Sequence, residues 1–500
     1  MAVMAALLRL MWAGWRLVRA DALVPREIDP LLTPGQRAMA RLLRLFAGAQ
    51  ARRGRPGERL ALVLEHLGPV AIKLGQFLGT RADIFGVQFA DDLGRLRDNL
   101  APFPATTARQ LVEQALGAPL EALYSEFGEV VGAASLAQVH AARLRDGRPV
   151  AVKILRPGIE ARVAADTGAL ALAGEVAARF VPGALRLEPR AFVATIARAL
   201  RLELDLRFEA AGADELRRAM DEDGYMRAPP VVWEGTARRV LTLHWAGGEP
   251  LSGAAALTGP QVDRPRLARD LIRGFLAQAL DHGVFHADLH EGNLFVDDAG
   301  RLVAVDFGII GRLGAPERRY LAEILWGFIE RDYVRVAEVH FSAGYVPAHH
   351  DHAAFAQALR AVGEPIFGRT AADVAMSRLL IQLFDITALF DMRLRPELVL
   401  LQKTMVTVEG VGRRIHPQLD IWAAAEPVVR RWIARELSPV RRMQALAQDA
   451  RRAMAHLAEA PPDLEAQRDQ RPRAMRLHPW SFVAGLAAAA VILAAAVLLR

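Results

Sequence analysis

The stretch FHADLHEGNLF, residues 285–295, sets a carboxylate at Asp288 and a carboxamide at Asn293 five positions on. AVDFG, residues 304–308, follows it, so a second carboxylate, Asp306, stands after a short apolar strand. Two acids and an amide in this order are what phosphoryl transfer uses. One acid orients the attacking hydroxyl or accepts its proton, while the amide and the second acid hold magnesium on the phosphates. Oxygen donors suit that hard cation. Reading His286, Asp288 and His290 as a transition-metal site instead leaves it short of ligands and ignores AVDFG.

Upstream, the same chemistry calls for a cation on the phosphates, held in place by an acid. SLAQVHAARL and RPVAVKIL alternate with period two around an RDG turn, and the second run carries Lys153 on a strand. Glu209, in ELDLRFEAAGADEL, falls in the next helical region, where the lysine's partner belongs. A lone lysine or glutamate would be a solvated surface residue, but here strand Lys, helix Glu, loop Asp/Asn and DFG come in kinase order. The chain is therefore read as α+β, a two-lobed protein kinase-like fold that binds ATP with magnesium. Asp288 is the catalytic candidate, Asn293 and Asp306 are the metal ligands, and Lys153 and Glu209 serve the nucleotide.

Three departures separate it from a protein kinase. Alanine stands at 287, where protein kinases carry arginine before the loop Asp. VVGAAS stands where the glycine-rich loop is expected, with Gly132 and Ser135 flanking Ala133 and Ala134; alanine there narrows the backbone freedom that brings amides to phosphates, and read alone GAAS is a turn. The letters APE at 315–317 come only nine residues after Asp306, with a helical pattern starting at once. No activation segment fits in that space, and this APE is read as chance.

Five hundred residues exceed what one core usually organises. Helical periodicity from 34 to 120, with a threonine cap expected on TTARQLVEQALG, gives an extension over 1–120. The period of two gives an amino-terminal lobe over 121–250, with VVWEG and RRVLTLHW as further strands. A helical carboxy-terminal lobe follows over 251–455, then a polar, proline-containing linker over 456–477. A net charge of +7 and a pI near 10.2 favour acidic partners. With no cysteine, thiolate chemistry and disulfides are excluded.

WSFVAGLAAAAVILAAAVLLR carries no charge from Trp480 to Leu499, which predicts one transmembrane helix over 478–500. Arginines 468, 471, 473 and 476 before it place the long amino-terminal part in the cytoplasm. At the other end, MAVMAALLRLMWAGWRLVR has no acidic residue; an interfacial helix and an ordinary docked helix both fit it.

Over residues 55–415 the motifs resemble the UbiB family of atypical kinase-like proteins. KLGQ, Lys73 to Gln76, leads into FLGTRADIFGVQFADDLGRLRDN and is the most family-specific segment. Helical geometry puts Lys73 and Gln76 on one face, with Gly75 allowing close packing. Ala133, Ala134 and Ser135 match the family's alanine-rich loop, Glu203 and Asp205 its E-x-D motif, and Asp288 to Asn293 its catalytic loop. Gly132, Leu289, Glu291 and the hinge residue His244 depart from the usual pattern. The resemblance implies a regulatory role for Lys73, Gln76, Glu203 and Asp205, with the helical extension covering the site and Lys73 reaching into it. It also implies an ATPase or small-molecule kinase supporting ubiquinone biosynthesis. The expected partners are anionic membrane lipids and quinone precursors or their enzymes, not nucleic acid, and the expected location is a bacterial inner membrane. Two alternatives stay open: an aminoglycoside-kinase-like phosphotransferase, and a nucleotide-binding scaffold without turnover.

Overall fold

The computed structural model describes residues 2–31, 34–48, 51, 54–79, 87–94, 96, 101–180, 189–364, 386, 389–392 and 396–436. Among the described residues the chain opens with the helices α1 (Ala2–Arg19), α2 (Pro34–Arg44), α3 (Pro56–Leu67), α4 (Pro69–Gly79) and α5 (Val87–Gly94). Proline at its first position starts α3, and the Glu58 carboxylate accepts from the Arg55 N–H at 2.8 Å. Gly75 of α4 lies so close to its neighbours that a Cβ there would come 2.3 Å from Leu96 and 2.6 Å from Leu64. The glycine of KLGQ thus lets the ends of two buried leucines close on α4, and a methyl group there would have to push both aside.

Helix α6 (Ala105–Leu116) precedes the predicted sheet. Its N-cap is Pro104, not a threonine: the proline ring already fixes φ at −57°, and Thr106 and Thr107 fall inside the first turn. Strands β1 (Tyr124–Ala133), β2 (Ala137–Leu144), β3 (Pro149–Leu155) and β5 (Val240–His244) form an antiparallel sheet in the order β1-β2-β3-β5. Alternate residues Val150, Val152 and Ile154 of β3 point into a core with Tyr124, Phe127 and Val240. The expected VVWEG strand is replaced by one bridge, Val231 to Leu243, and a 3-10 turn over Trp233–Gly235. Thr242 explains the curl, because its hydroxyl donates to the Gly235 carbonyl at 2.7 Å and takes the place of a ladder bond.

The other sheet face is covered by α7 (Ile159–Phe180), α8 (Pro189–Glu203) and α9 (Leu206–Asp223). Val70 of α4 joins Leu155, Leu200, Leu206 and Leu241 in this core, so the extension packs into the amino-terminal lobe. The link to the second lobe turns at Gly247 and Gly248, both at positive φ. A Cβ on Gly248 would meet the Val296 carbonyl oxygen at 2.0 Å, so only glycine fits there.

The carboxy-terminal lobe contains α10 (Arg264–Ala277), α11 (Ala315–Ile329), α12 (Tyr333–Ser342), α13 (His352–Gly363), α14 (Pro396–Ile415) and α15 (Ile421–Glu436). Two small sheets sit at its top. One has β4 (Met226–Arg227), β9 (Leu302–Ala304), β8 (Leu294–Val296) and β6 (Glu249–Pro250) in that order; the other pairs β7 (Val284–His286) with β10 (Ile310–Arg312). The letters APE form the first turn of α11. Among the described residues no helix is long and apolar enough to cross a membrane. The expected span over 478–500 and its linker lie outside those residues.

Candidate functional site

The site assembles where the two lobes meet. On β3, Lys153 alternates outward from the buried Val152 and Ile154, and it directs its ammonium at two carboxylates. It lies 2.7 Å from Glu209 Oε1 and 3.0 Å from Asp306 Oδ1. Burial works against the lysine's charge, but Asp306 and Glu209 outweigh it and raise its pKa above the ordinary value. The Lys153 ammonium in turn holds Asp306 well below the usual carboxylate range, although burial opposes this. Burial lifts Glu209 against the pull of Lys153. Asp306 adopts a left-handed backbone, φ 59°, while Phe307 beside it is buried against the His286 ring at a centroid distance of 5.3 Å.

Asp205 caps α9, accepting from the Arg207 N–H at 3.2 Å, and so fixes the helix that carries Glu209. Two residues earlier, Glu203 ends α8 and meets Lys73 of α4 at 3.1 Å. The motif residues of the extension thus reach the lobe beside Glu209. Gln76, on the same side of α4 and half-buried, makes no hydrogen bond among the described residues.

The catalytic loop is organised by His286. Its Nε2–H donates to the Val305 carbonyl at 3.1 Å, and its Nδ1 accepts from the Asp288 N–H at 3.1 Å, which specifies the neutral tautomer. Burial, lowering its pKa, favours the same form. One imidazole therefore ties the Asp288 loop to the strand leading to Asp306. Asn293 donates through Nδ2 to the Asp288 carbonyl at 3.0 Å, leaving Oδ1 for a cation. The oxygen set from Asn293 and Asp306 matches what magnesium takes, so the residues present fit the expected metal.

Around the nucleotide loop, Gly132 and Ala133 end β1 while Ala134 and the buried Ser135 make the turn. Ala134 donates its N–H to the Ala137 carbonyl at 2.8 Å, and its own carbonyl accepts from Arg156 Nε at 2.9 Å. The turn is held by an arginine as well as by alanine's narrower backbone. Gly132 is not at positive φ and has open space around its Cβ position. His244 ends β5, and burial and the nearby Arg148 lower its pKa.

Sequence reasoning missed a set of contacts from α14. Lys403 Nζ lies 3.6 Å from Asp288 Oδ1, the Thr404 hydroxyl donates to the Ala287 carbonyl at 2.9 Å, and Arg414 pairs with Glu291. Glu291 thereby has an ion-pair partner of its own. The only local signal was the amphipathic run of basic and apolar residues in α14, about 110 residues after the loop it supports.

Comparison with known proteins bears on the family and the fold. Residues 95–340 match the ABC1 atypical kinase-like domain, and residues 359–420 match the UbiB helical domain. A protein of Marinobacter nauticus named "Probable protein kinase UbiB" is 39% identical over 388 residues, 77% of this chain and 71% of its own length. A Pseudomonas putida protein of the same name is 40% identical over 388 residues, 77% of this chain and 72% of its own. Among solved structures, the complex of Rv3197 with erythromycin from Mycobacterium tuberculosis aligns with a TM-score of 0.55 at 24% identity. It covers 79% of this chain and 98% of that one, a likeness of fold.

Proposed function

The chain belongs to the UbiB family of ABC1 atypical kinase-like proteins, and on that premise we propose that it is a membrane-anchored, ATP-dependent enzyme that supports ubiquinone biosynthesis. Phosphoryl transfer to water or to a small or lipid-like acceptor is the reaction this reading assigns. The observation that carries it is Lys153 set between Glu209 and Asp306 at 2.7 and 3.0 Å. A lysine so held is positioned to leave Asp306 for phosphate oxygens while Glu209 keeps its orientation.

Asn293 Oδ1 and the Asp306 carboxylate would hold magnesium, which when bound neutralises charge on the phosphates. Asp288 faces the acceptor and orients its hydroxyl or water, and its charge is steadied by the Lys403 ammonium 3.6 Å away. Its pairing with a lysine, in place of the arginine absent at 287, suits a site without a protein-substrate platform. The Lys73–Glu203 pair fastens α4 to the lobe, which supports the reading, implied by the family resemblance, that the helical extension restricts access and leaves water or a small acceptor as the substrate.

Anchoring rests on the apolar segment 480–499 and the arginines before it. The assignment to a bacterial inner membrane, with quinone precursors and anionic lipids as partners, rests on that segment, the basic charge and the family. The test is phosphate release from magnesium ATP by the full chain, with and without anionic vesicles and phenolic quinone precursors. Release that rises with either addition supports the proposal. No release under any condition, with nucleotide bound, would favour a non-catalytic nucleotide-binding protein.

A further inference from the structure

Eighteen large hydrophobic side chains are exposed among the described residues, and nine of them lie within the first 46 positions. That concentration makes a patch rather than scatter. On α1 they are Met4, Leu8, Met11, Trp12 and Trp15, which recur at intervals of four, three, one and three and so share one face. The opposite face is already used: Leu17 is buried with Leu23 and Val63, and Arg9 pairs with Asp166 of α7 at 3.3 Å. Helix α1 is therefore apolar on both sides, one covered and one bare. Met39, Leu42, Leu45 and Phe46 of α2 and the turn after it continue the bare surface, joined to it where the Trp15 and Phe46 rings lie 5.7 Å apart.

We propose that this joint α1–α2 face docks on an anionic lipid surface, independently of the apolar segment 480–499. Charge identifies the occupant. The two helices carry six arginines and no carboxylate, and no acidic residue occurs between Asp29 and Glu58. Arg44 is taken up by Asp21 and Asp29, but Arg19 and Arg41 are exposed and make no ion pair among the described residues. The Arg16 guanidinium lies over the Trp12 ring at 5.4 Å, setting a cation beside the residue best suited to a headgroup boundary. An apolar face with tryptophan, bordered by arginine, is how a helix lies in the plane of an anionic monolayer. The inner sides of α1 and α2 belong to the same helical extension that carries Lys73, so docking would fix that extension against the membrane.

The absence of native cysteine makes a direct test available. Leu8→Cys, Leu42→Cys and, as a control on the amino-terminal lobe, Trp233→Cys are each made in the full chain and labelled with an environment-sensitive nitrobenzoxadiazole dye. All three positions are exposed, so the substitutions leave the core intact. Emission is read in buffer, on phosphatidylcholine vesicles and on vesicles that also contain phosphatidylglycerol, while flotation records whether the chain is bound. The expected result is a blue shift and gain at 8 and 42, larger with phosphatidylglycerol, and no change at 233. If the chain floats while 8 and 42 behave like 233, the docking face is wrong and the segment 480–499 holds the protein alone. Blue-shifted labels at 8 and 42 before vesicles are added would show that another part of the chain or a second copy covers the face, which also overturns it. Failure to float would remove both attachments.

Discussion

Lys403 of α14 holds its ammonium 3.6 Å from a carboxylate oxygen of Asp288. A helix from the carboxy-terminal helical module thus completes a loop encoded more than a hundred residues earlier. If this lysine steadies the Asp288 charge, Lys403→Met should lower turnover by about ten- to a hundredfold, the range a misplaced catalytic group costs. Magnesium-nucleotide affinity should stay near wild type. Equal losses in binding and turnover would show that the residue holds the lobe together instead.

Gly75 and Gly132 should respond oppositely to alanine. At Gly75 a methyl group would come 2.3 Å from Leu96 and 2.6 Å from Leu64, so Gly75→Ala should cost about 1 to 3 kcal/mol by overpacking. Nothing lies within 4 Å of the Cβ position at Gly132, and Gly132→Ala should be neutral or slightly stabilising. Thermal or denaturant unfolding of the two variants checks both signs.

Lys73 and Ala134 test the restraint on the nucleotide. Lys73→Ala removes a pair whose side chains are 21% and 23% exposed, so it should cost no more than about 3 kcal/mol while changing nucleotide handling. Ala134→Gly should free the loop held through Arg156, shifting preference toward ATP and releasing autophosphorylation. Nucleotide binding and autophosphorylation in wild type and both variants are the measurements. Three indistinguishable proteins would reduce KLGQ to helix packing.

The pH dependence should show the depressed Asp306. Because its folded pKa lies below the ordinary aspartate value of 3.8, the stability it adds is complete above that value and disappears as pH falls through the folded one. Lys153, raised above 10.5, adds stability that is complete below that value and is lost only as pH rises through its folded pKa. The stability difference between wild type and Asp306→Asn should therefore be flat near neutrality and shrink only in acid. A marked slope between pH 6 and 8 would contradict the ion-pair assignment.

Much of this site could be read from the sequence because kinase chemistry fixes the order of its parts. Lys153 on an alternating strand, Glu209 on the next helix and DFG after a short apolar strand all lie where period and spacing put them. The E-x-D residues were harder. Glu203 reaches Lys73 across two helices, whereas Asp205 serves as a local cap, a distinction set by the break between α8 and α9. VVWEG looked like a strand because its residues favour one, but the Thr242 hydroxyl claimed the Gly235 carbonyl. Lys403, Thr404 and Arg414 show in the sequence only as part of an amphipathic helix, because a contact between a loop and a helix so distant in sequence leaves no trace that pairs the two.

The central claim is that Asp306 binds the metal nucleotide and Asp288 drives its turnover. Calorimetric titration of magnesium ATP into wild type, Asp306→Asn and Asp288→Asn, paired with phosphate release from the same preparations, separates the two roles. The account predicts that Asp306→Asn loses magnesium-dependent binding, while Asp288→Asn binds like wild type and releases no phosphate. Equal loss of affinity in both variants, or turnover surviving in Asp288→Asn, would contradict it.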